Sequence, residues 1–245
     1  MVDTVSTSQR CQVAATASGQ RFGVTIVHRT TDDLAALARI FKATFEATGY
    51  PVEGPPALDS DAAAAAAAAP ALVEYFSGIP SQELGGFVAV DEDAATTMGH
   101  SSSGSNRNIP TFLPRRKVLG HVSLRRVGHQ SLEAELWNTF IGKASAAAAT
   151  PGAGDDCLWG VSRLAIDPTV QKRGVGGRLM DHVEQEARGA GKTLVLGVLD
   201  KDVAAIRMYE RRGWVRFGQE EAFAGRDGRL WTMYYYGLGS DPLPS

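Results

Sequence analysis

The sequence predicts an α/β or α+β domain built on one mixed β-sheet flanked by helices. Three features predict this class: a strand followed by an amphipathic helix near the start, two β-prone segments in the middle, and a closing series of strand, turn, helix, strand, helix and strands. The 245 residues allow one large domain or two small ones. We expect one domain over residues 23–238, with insertions at about residues 94–116 and 128–156, a disordered tail at residues 1–22 and a second tail at residues 239–245.

The first half of the chain contains three predicted strands and two longer helices. Residues 23–29 alternate in polarity like a strand, and residues 30–33 (TTDD) supply the chemistry that starts a helix. Residues 86–90 and 118–127 predict two further strands, joined by a polar loop at residues 98–108. The apolar positions that predict the two helices are Leu34, Leu37, Phe41 and Phe45 for the first, and Leu132, Leu136, Phe140 and Ile141 for the second.

Less regular segments separate these elements. Residues 62–69 are all alanine, which we interpret as a tolerated insertion because such a run has no amphipathic face. Residues 72–76 predict a short helix. Residues 144–156 are mostly small and predict a linker.

The second half shows a tighter pattern. Residues 158–166 predict a strand that ends at Asp167-Pro168, and residues 176–188 predict an amphipathic helix. Residues 193–199 (TLVLGVL) predict a buried strand, after which Asp202 is expected to cap a helix over residues 203–212. The last predicted strands are residues 215–217 and 230–236, with a turn at residues 225–228.

Composition excludes several classes of protein. The net charge of −2, from 25 basic and 27 acidic residues, gives no general attraction to nucleic acid or to an anionic membrane, so neither is an expected partner. Cys11 and Cys157 are too few for a disulfide scaffold and match no zinc-ligand spacing, so we expect no metal and a reducing, cytoplasmic setting. No apolar run reaches the length of a bilayer span. An organelle-targeting role for the first residues stays open as the alternative to a plain tail.

Residues 171–177 (QKRGVGG) lie between a predicted strand and a predicted helix. A helix N-terminus exposes unpaired N–H groups and a partial positive charge, and glycines there let a phosphate approach the backbone closely. Lys172 and Arg173 add a local positive charge. The loop alone is equally compatible with a glycine turn that merely starts a helix.

Two familiar phosphate motifs do not fit. A dinucleotide fingerprint requires glycine at its sixth position, which, counted from Gly174, is Leu179. Residues 189–193 (GAGKT) imitate the end of a P-loop, but Glu186 stands where the first glycine belongs. That segment also leads from a helix into a strand, the reverse of the required order. We reject both interpretations.

The loop reads Gln-x-x-Gly-x-Gly and follows SRLAIDP at residues 162–168, and DVAAIRMYERRGW follows at residues 202–214. Together these segments resemble the acetyl-CoA signature of the GNAT superfamily of N-acetyltransferases, over about residues 158–218. The resemblance implies an acyltransferase on a mixed, mostly antiparallel central sheet flanked by helices, with the insertions as additions to it. It implies acetyl-CoA as the cosubstrate and an amine-bearing acceptor.

The resemblance also implies roles for individual residues. The strand at residues 164–166 would splay from its neighbour and pair with the pantetheine arm, while the amides of residues 172–177 would hold the pyrophosphate. Asp202 stands where the family usually has an asparagine beside the pantetheine. The full set assigned to the cosubstrate is Leu164, Ala165, Ile166, Gln171, Lys172, Arg173, Gly174, Val175, Gly176, Gly177 and Asp202.

Tyr209 matches the family's tyrosine that faces the thioester sulfur. A phenol within hydrogen-bond reach is a suitable general acid for a departing thiolate. The competing interpretation is a core aromatic, because Ile206 and Tyr209 share a helical face. The phosphate loop upstream favours the catalytic interpretation.

A general base is missing from the pattern. Relatives carry a glutamate on the strand after the loop helix, where this chain has Gly197, or on the strand before the loop, where it has Ser162 and Arg163. The remaining candidates are Asp155, Asp156, His121, Glu133 or a chain of waters. The competing interpretation, which we favour for each of these side chains, is a solvated surface group or, for His121, a structural histidine.

Three functions stay open at this point. The first is acetyl transfer to a primary amine of a small molecule, which we favour because Gly197 replaces the carboxylate of relatives that modify protein N-termini. The second is a protein or peptide acetyltransferase, and the third is an acyl-CoA-binding module without catalysis. Pairing of two copies through the final strands is open, and the sequence does not identify the acceptor.

Overall fold

A computed structural model describes residues 23–49, 71, 75–76, 82–91, 116–128, 130–145, 157–224 and 230–239. Several predicted segments lie outside these residues: both tails almost entirely, the polyalanine run, the loop at residues 98–108, most of the linker and the turn at residues 225–228. The domain boundaries therefore stay a prediction.

One seven-stranded sheet forms the centre of the fold, in the order β1-β2-β3-β4-β5-β7-β6. Only β4 and β5 pair in parallel; the other neighbours are antiparallel. The predicted class, a mixed and mostly antiparallel sheet flanked by helices, is confirmed. The strands are β1 (Val24–His28), β2 (Glu83–Asp91), β3 (Lys117–Arg126), β4 (Leu158–Ile166), β5 (Thr193–Leu199), β6 (Val215–Ala224) and β7 (Leu230–Leu238).

Helices cover both faces of the sheet. They are α1 (Leu34–Thr48), α2 (Leu132–Ser145), α3 (Val175–Gly189) and α4 (Val203–Arg211). On β2, Phe87 and Ala89 belong to the core cluster that includes α3, whereas Val88 packs with α1. Alternate strand residues point to opposite faces, so α1 and α3 lie on opposite sides of the sheet.

Helix α2 lies within the second predicted insertion and packs against the sheet. Trp137 is 4% exposed and clusters with Val127 and Val195. Its ring lies 5.2 Å from the ring of Phe217. A Cβ at Gly237 would stand 2.4 Å from that indole, so the glycine allows the close approach. Because Val195 alternates with Leu194 of the α3 cluster, α2 shares its side of the sheet with α1.

The structure changes two details of the predicted elements. Asp202 occupies the N-cap position of α4, but its side chain does not cap the helix and instead pairs with Lys201 Nζ at 2.9 Å. Strand β6 runs to Ala224, well beyond the predicted residues 215–217. It is an edge strand of the sheet, and much of it is exposed and polar. It therefore lacks the run of apolar residues from which a strand is predicted.

Candidate functional site

The turn between β4 and α3 presents backbone N–H groups at a helix start. Lys172 and Gly174 both have positive φ, 64° and 81°. The first hydrogen bond of α3 runs from the Arg178 N–H to the Gly174 carbonyl at 3.1 Å, so the N–H groups of residues 175–177 have no acceptor within the helix. Val175 is 1% exposed and anchors this end of α3 in the core. The strand, turn and helix predicted from the sequence are therefore present.

Packing leaves space beside this backbone. A Cβ at Gly174 or Gly177 would meet no heavy atom within 4 Å, and one at Gly176 would meet Ile166 Cγ1 only at an ordinary 3.5 Å. Gly174 is needed for its left-handed conformation, but the fold does not require glycine at 176 or 177. Unpaired amides beside open space fit a pyrophosphate, and so fit the pyrophosphate of acetyl-CoA.

A cleft opens where β4 and β5 separate. The two strands pair only between residues 158–160 and 193–195, so residues 161–166 form one wall and residues 196–199 the other. Among the described residues, Ser162 Oγ and Asp200 Oδ1 are buried without a hydrogen-bond partner. Buried polar atoms are normally hydrogen-bonded, so these two fit a ligand that brings polar groups into the cleft.

Tyr209 lies under the β5 wall of this cleft. It is 5% exposed and belongs to the same core cluster as Leu196 and Val198. Its ring lies 5.7 Å from that of Trp214 and 6.3 Å from that of Tyr236. The predicted helix therefore brings Tyr209 to the strand that borders the cleft, and its burial matches the core-aromatic interpretation as well as the catalytic one.

His121 is a structural residue, and the structure contradicts its candidacy as the general base. It is 0% exposed and lies edge-on to Phe41 and Phe76. Its Nδ1 is 3.1 Å from the carbonyl oxygen of Arg163, so the N–H of Nδ1 donates to that carbonyl. Burial and the nearby Arg29 guanidinium lower the pKa of His121 to about 3, which keeps the ring neutral.

This burial predicts an acid-sensitive stability. Below pH 6.5 the unfolded chain binds a proton at His121 that the folded chain does not bind until about pH 3, so stability should fall as pH falls through this window. Replacing His121 with Asn, whose amide can still donate to the Arg163 carbonyl, should reduce this loss by about 1 kcal/mol per pH unit between pH 6 and pH 5. Urea unfolding at several pH values measures it, and parallel curves for both proteins would contradict it.

Gly197, the position of the missing carboxylate, lies beside a tyrosine–glutamate pair. A Cβ at Gly197 would stand 2.9 Å from Met233 Sδ and 3.4 Å from Tyr235 Cε1, so these side chains occupy the place of a larger residue. The Tyr235 hydroxyl donates to Glu220 Oε2 at 3.1 Å. Burial and this hydrogen bond raise the pKa of Tyr235. Sequence reasoning missed the pair, although the run of three tyrosines at residues 234–236 was a signal.

The other base candidates are placed differently. Glu133 forms an ion pair with Arg125, so its carboxylate is neutralised on the α1 side of the sheet. Asp155 and Asp156 lie outside the described residues. Within the described part of the chain, no cluster of three or more His, Cys, Asp or Glu side chains could hold a metal ion. None of the helices that the structure describes is long and apolar enough to cross a bilayer.

Comparison with known families identifies the domain. The sequence model of the acetyltransferase (GNAT) family matches residues 115–214, which include β3, β4, the glycine turn, α3, β5 and α4. Residues 115–214 therefore match a GNAT acetyltransferase domain. The resemblance carried by the glycine turn and the segment around Tyr209 is thereby confirmed at the level of the superfamily.

Two curated relatives match short parts of this chain. S-(2-succino)cysteine N-acetyltransferase of Bacillus subtilis is 37% identical over 65 residues, which are 25% of this chain and 39% of that protein. The tRNA(Met) cytidine acetyltransferase TmcA of Aeropyrum pernix is 48% identical over 48 residues, 20% of this chain and 7% of that protein. The matches span well under half the length of either relative.

Solved structures match the fold over most of the chain. Arabidopsis thaliana NAA60, solved with a bisubstrate analogue, has a TM-score of 0.58 at 15% identity and covers 90% of this chain and 100% of its own. An N-acetyltransferase from Staphylococcus aureus Mu50 has a TM-score of 0.56 at 15% identity, covering 89% and 99%. At these identities the likeness shows a shared fold.

Proposed function

We propose that this protein transfers an acetyl group from acetyl-CoA to a primary amine of a small molecule. The observation that carries the proposal is the junction of two features. The β4 wall of the cleft leads directly, through Asp167 and Pro168, into the turn at the start of α3, where the amides of residues 175–177 have no acceptor within the helix. A pyrophosphate on that turn places the rest of the same molecule along β4 and into the cleft.

The chain's own groups would hold acetyl-CoA as follows. The amides of residues 172–177 would bind the pyrophosphate, with Gln171 at the start of the turn and Lys172 and Arg173 adding positive charge. The backbone of Leu164, Ala165 and Ile166 would pair with the pantetheine, because β4 has no β5 partner beyond Gly160. Asp202 is held by Lys201, which makes its contact with the pantetheine the least supported of the set.

The acetyl thioester supplies the electrophile for a direct transfer in a ternary complex. The neutral amine nitrogen attacks the carbonyl carbon, a C–N bond forms and the C–S bond breaks. Tyr209 would donate its hydroxyl proton to the leaving sulfur, and water would return a proton to the phenolate. The proton lost by the amine passes to a base or to water.

Two observations support a small acceptor. Gly197 leaves β5 without the carboxylate of relatives that modify protein N-termini, and Met233 and Tyr235 occupy that space. The Bacillus relative is named for acetylation of an amino-acid derivative, S-(2-succino)cysteine, and its match includes 25% of this chain. Acetylation of a small amine therefore agrees with both the cleft and a relative.

A thiol-release assay with acetyl-CoA tests the proposal. The acceptors are amines, amino acids, antibiotics and peptides, and acetylated products are identified by mass spectrometry. We expect release with a small primary amine and not with peptides. Thiol release with peptides alone would show that the acceptor is a peptide and not a small amine. Tight acetyl-CoA binding without thiol release in the presence of any acceptor would identify a binding module instead.

Two glycines, one in the turn and one at the far end of α3, give a test variant and its control. Replacing Gly174 with Val puts a β-branched side chain at φ +81°, which costs about 1–2 kcal/mol or distorts the turn. We expect acetyl-CoA affinity to fall about tenfold or more, as measured by calorimetry. Gly189, at the far end of α3, has no positive φ and open space around it, so Gly189→Ala should bind like wild type. Equal affinities for all three proteins would remove the turn from the binding site.

A further inference from the structure

Three arginines lie on the α1 side of the sheet near the cleft, and two of them are neutralised. Arg29 pairs with Glu83 at 2.7 Å, and Arg125 pairs with Glu133. Arg163 has no such partner: among the residues that the structure describes, no carboxylate lies within ion-pairing distance of its guanidinium. Counted over the described residues, one positive charge is therefore left over at this place.

The surroundings of Arg163 do not favour an unpaired cation. It is partly buried, and the cation–π contact with Tyr75, whose ring centre lies 5.3 Å from its guanidinium carbon, offsets only part of the cost of burial. Burial lowers the pKa of Arg163, and the charges of Arg125 and Arg29 lower it further, while interactions with Tyr75 and Glu83 raise it without cancelling the decrease; the group stays protonated. A partly desolvated guanidinium without a counter-charge is costly, and an anion brought by a ligand would remove that cost.

Arg163 also stands at the right place to meet a ligand. It lies on the β4 wall three positions after Gly160, the last residue that pairs with β5. Its φ of 53° marks a bulge, because two residues of β4 oppose one of β3 between the pairs His121–Ala165 and Ser123–Ser162.

The hydroxyl of Ser162 faces the same side of the sheet. Ser162 pairs directly with Ser123, and directly paired residues share a face. Ser123 Oγ donates to the Phe76 carbonyl at 3.2 Å, which places this face on the α1 side, where Tyr75 meets Arg163. Ser162 Oγ is buried and has no partner among the described residues. A cation and an unused donor therefore adjoin each other on one wall of the cleft.

We propose that the acceptor carries a carboxylate as well as its amine, and that Arg163 binds this carboxylate with the Ser162 hydroxyl as a second donor. A guanidinium matches the two oxygens of a carboxylate. One unpaired cation suits a monoanion, because the neighbouring pairs Arg29–Glu83 and Arg125–Glu133 have no net charge with which to balance a dianion such as a phosphate. The acceptor class is then an amino acid or another small amino-carboxylate. The inference rests on the proposed acetyl transfer, since it concerns the same cleft.

Acid and amide pairs test the carboxylate directly. The standard α-amino acids and a series of ω-amino acids are assayed beside their carboxamides, with kcat/KM taken from thiol release. The amine of the carboxamide has a lower pKa than the amine of the acid, so more of it is neutral and able to attack the thioester. A preference for the acid must therefore come from binding of its carboxylate. We expect the wild type to prefer the acid of its best substrate on the order of 30-fold, as for a charge-assisted hydrogen bond.

Variants then assign the preference to one side chain. Arg163→Met should abolish the acid preference, and Arg163→Lys, which keeps the charge but not the two-pronged geometry, should retain part of it. Arg188→Met removes an exposed cation at the far end of α3 and should behave like wild type. Circular dichroism and acetyl-CoA affinity verify that each variant is folded.

Two results would overturn the inference: wild type using amides as well as acids, or Arg163→Met keeping the acid preference. Failure of the proposed function looks different, because no acceptor would then release thiol. In that case calorimetry of the same acids and amides with the CoA-loaded protein decides the inference. Selective binding of an acid that is lost in Arg163→Met supports it, and equal or absent binding of acid and amide contradicts it.

Discussion

Tyr209→Phe is expected to lower the kcat of thiol release about 100-fold or more while acetyl-CoA affinity stays near that of wild type. The substitution removes one hydroxyl from a side chain that is 5% exposed and packed against Trp214, so the ring and its packing remain. The hydroxyl that is removed is the one we propose as the proton donor to the leaving thiolate. Steady-state kinetics measure kcat, and calorimetry measures the affinity for acetyl-CoA.

A neighbouring tyrosine provides the control. Tyr236 is 2% exposed, lies 6.3 Å from Tyr209 ring to ring, and donates its hydroxyl to Glu210 at 3.0 Å. Tyr236→Phe therefore removes a hydroxyl from the same cluster without touching the proposed donor, and its kcat should stay within a few-fold of wild type. Wild-type turnover in Tyr209→Phe, or an equal loss in both variants, would make Tyr209 a packing residue only.

Trp137→Ala is expected to lower the free energy of unfolding by about 3–5 kcal/mol. The indole is 4% exposed, contacts Phe217 and fills the space over Gly237, so its removal leaves a cavity between α2 and the sheet. Urea unfolding measures the change. The result would show that the helix in the second insertion supports the β5–β7 half of the sheet.

Leu132→Ala is the matched control on the same helix. Leu132 is 36% exposed, so its truncation removes little buried surface and should cost less than about 1 kcal/mol. If Trp137→Ala unfolds at the same urea concentration as Leu132→Ala, α2 does not stabilise the sheet. Acetyl-CoA affinity at low temperature, where both variants are folded, separates lost stability from a direct effect on the site.

Most elements of the fold could be predicted because their signals are local. Strand β4 and strand β5 match the predicted residues, and α3 differs by one residue at each end, since each is short, apolar or amphipathic and ends at a turn residue. Strand β6 was predicted too short because an edge strand is largely exposed. The side chain of Asp202 was expected to cap α4, but a neighbouring lysine pairs with it instead.

Some residues of the candidate site could likewise be predicted from the sequence, and others could not. The glycine turn could be predicted since its chemistry depends on consecutive residues, and Tyr209 since its spacing from that turn is typical of the family. The burial of His121 could not be predicted from the sequence, because the side chains that cover it, Phe41 and Phe76, lie far away along the chain. His121 therefore stayed among the candidate bases until the structure was known. Only their packing shows that the ring is neutral and inaccessible.

The sequence by itself therefore determined the superfamily, the order of the elements and the turn suited to a pyrophosphate, because each of these depends on neighbouring residues. The tertiary structure alone decided which charges are paired. Arg29 meets Glu83, 54 residues away, and Arg125 meets Glu133. Arg163, in the middle of an apolar strand, lies over the ring of Tyr75 and forms no ion pair within the described part of the chain. Ion pairs form between side chains that folding brings together, so an unpaired cation at the cleft becomes visible only once the sheet is assembled.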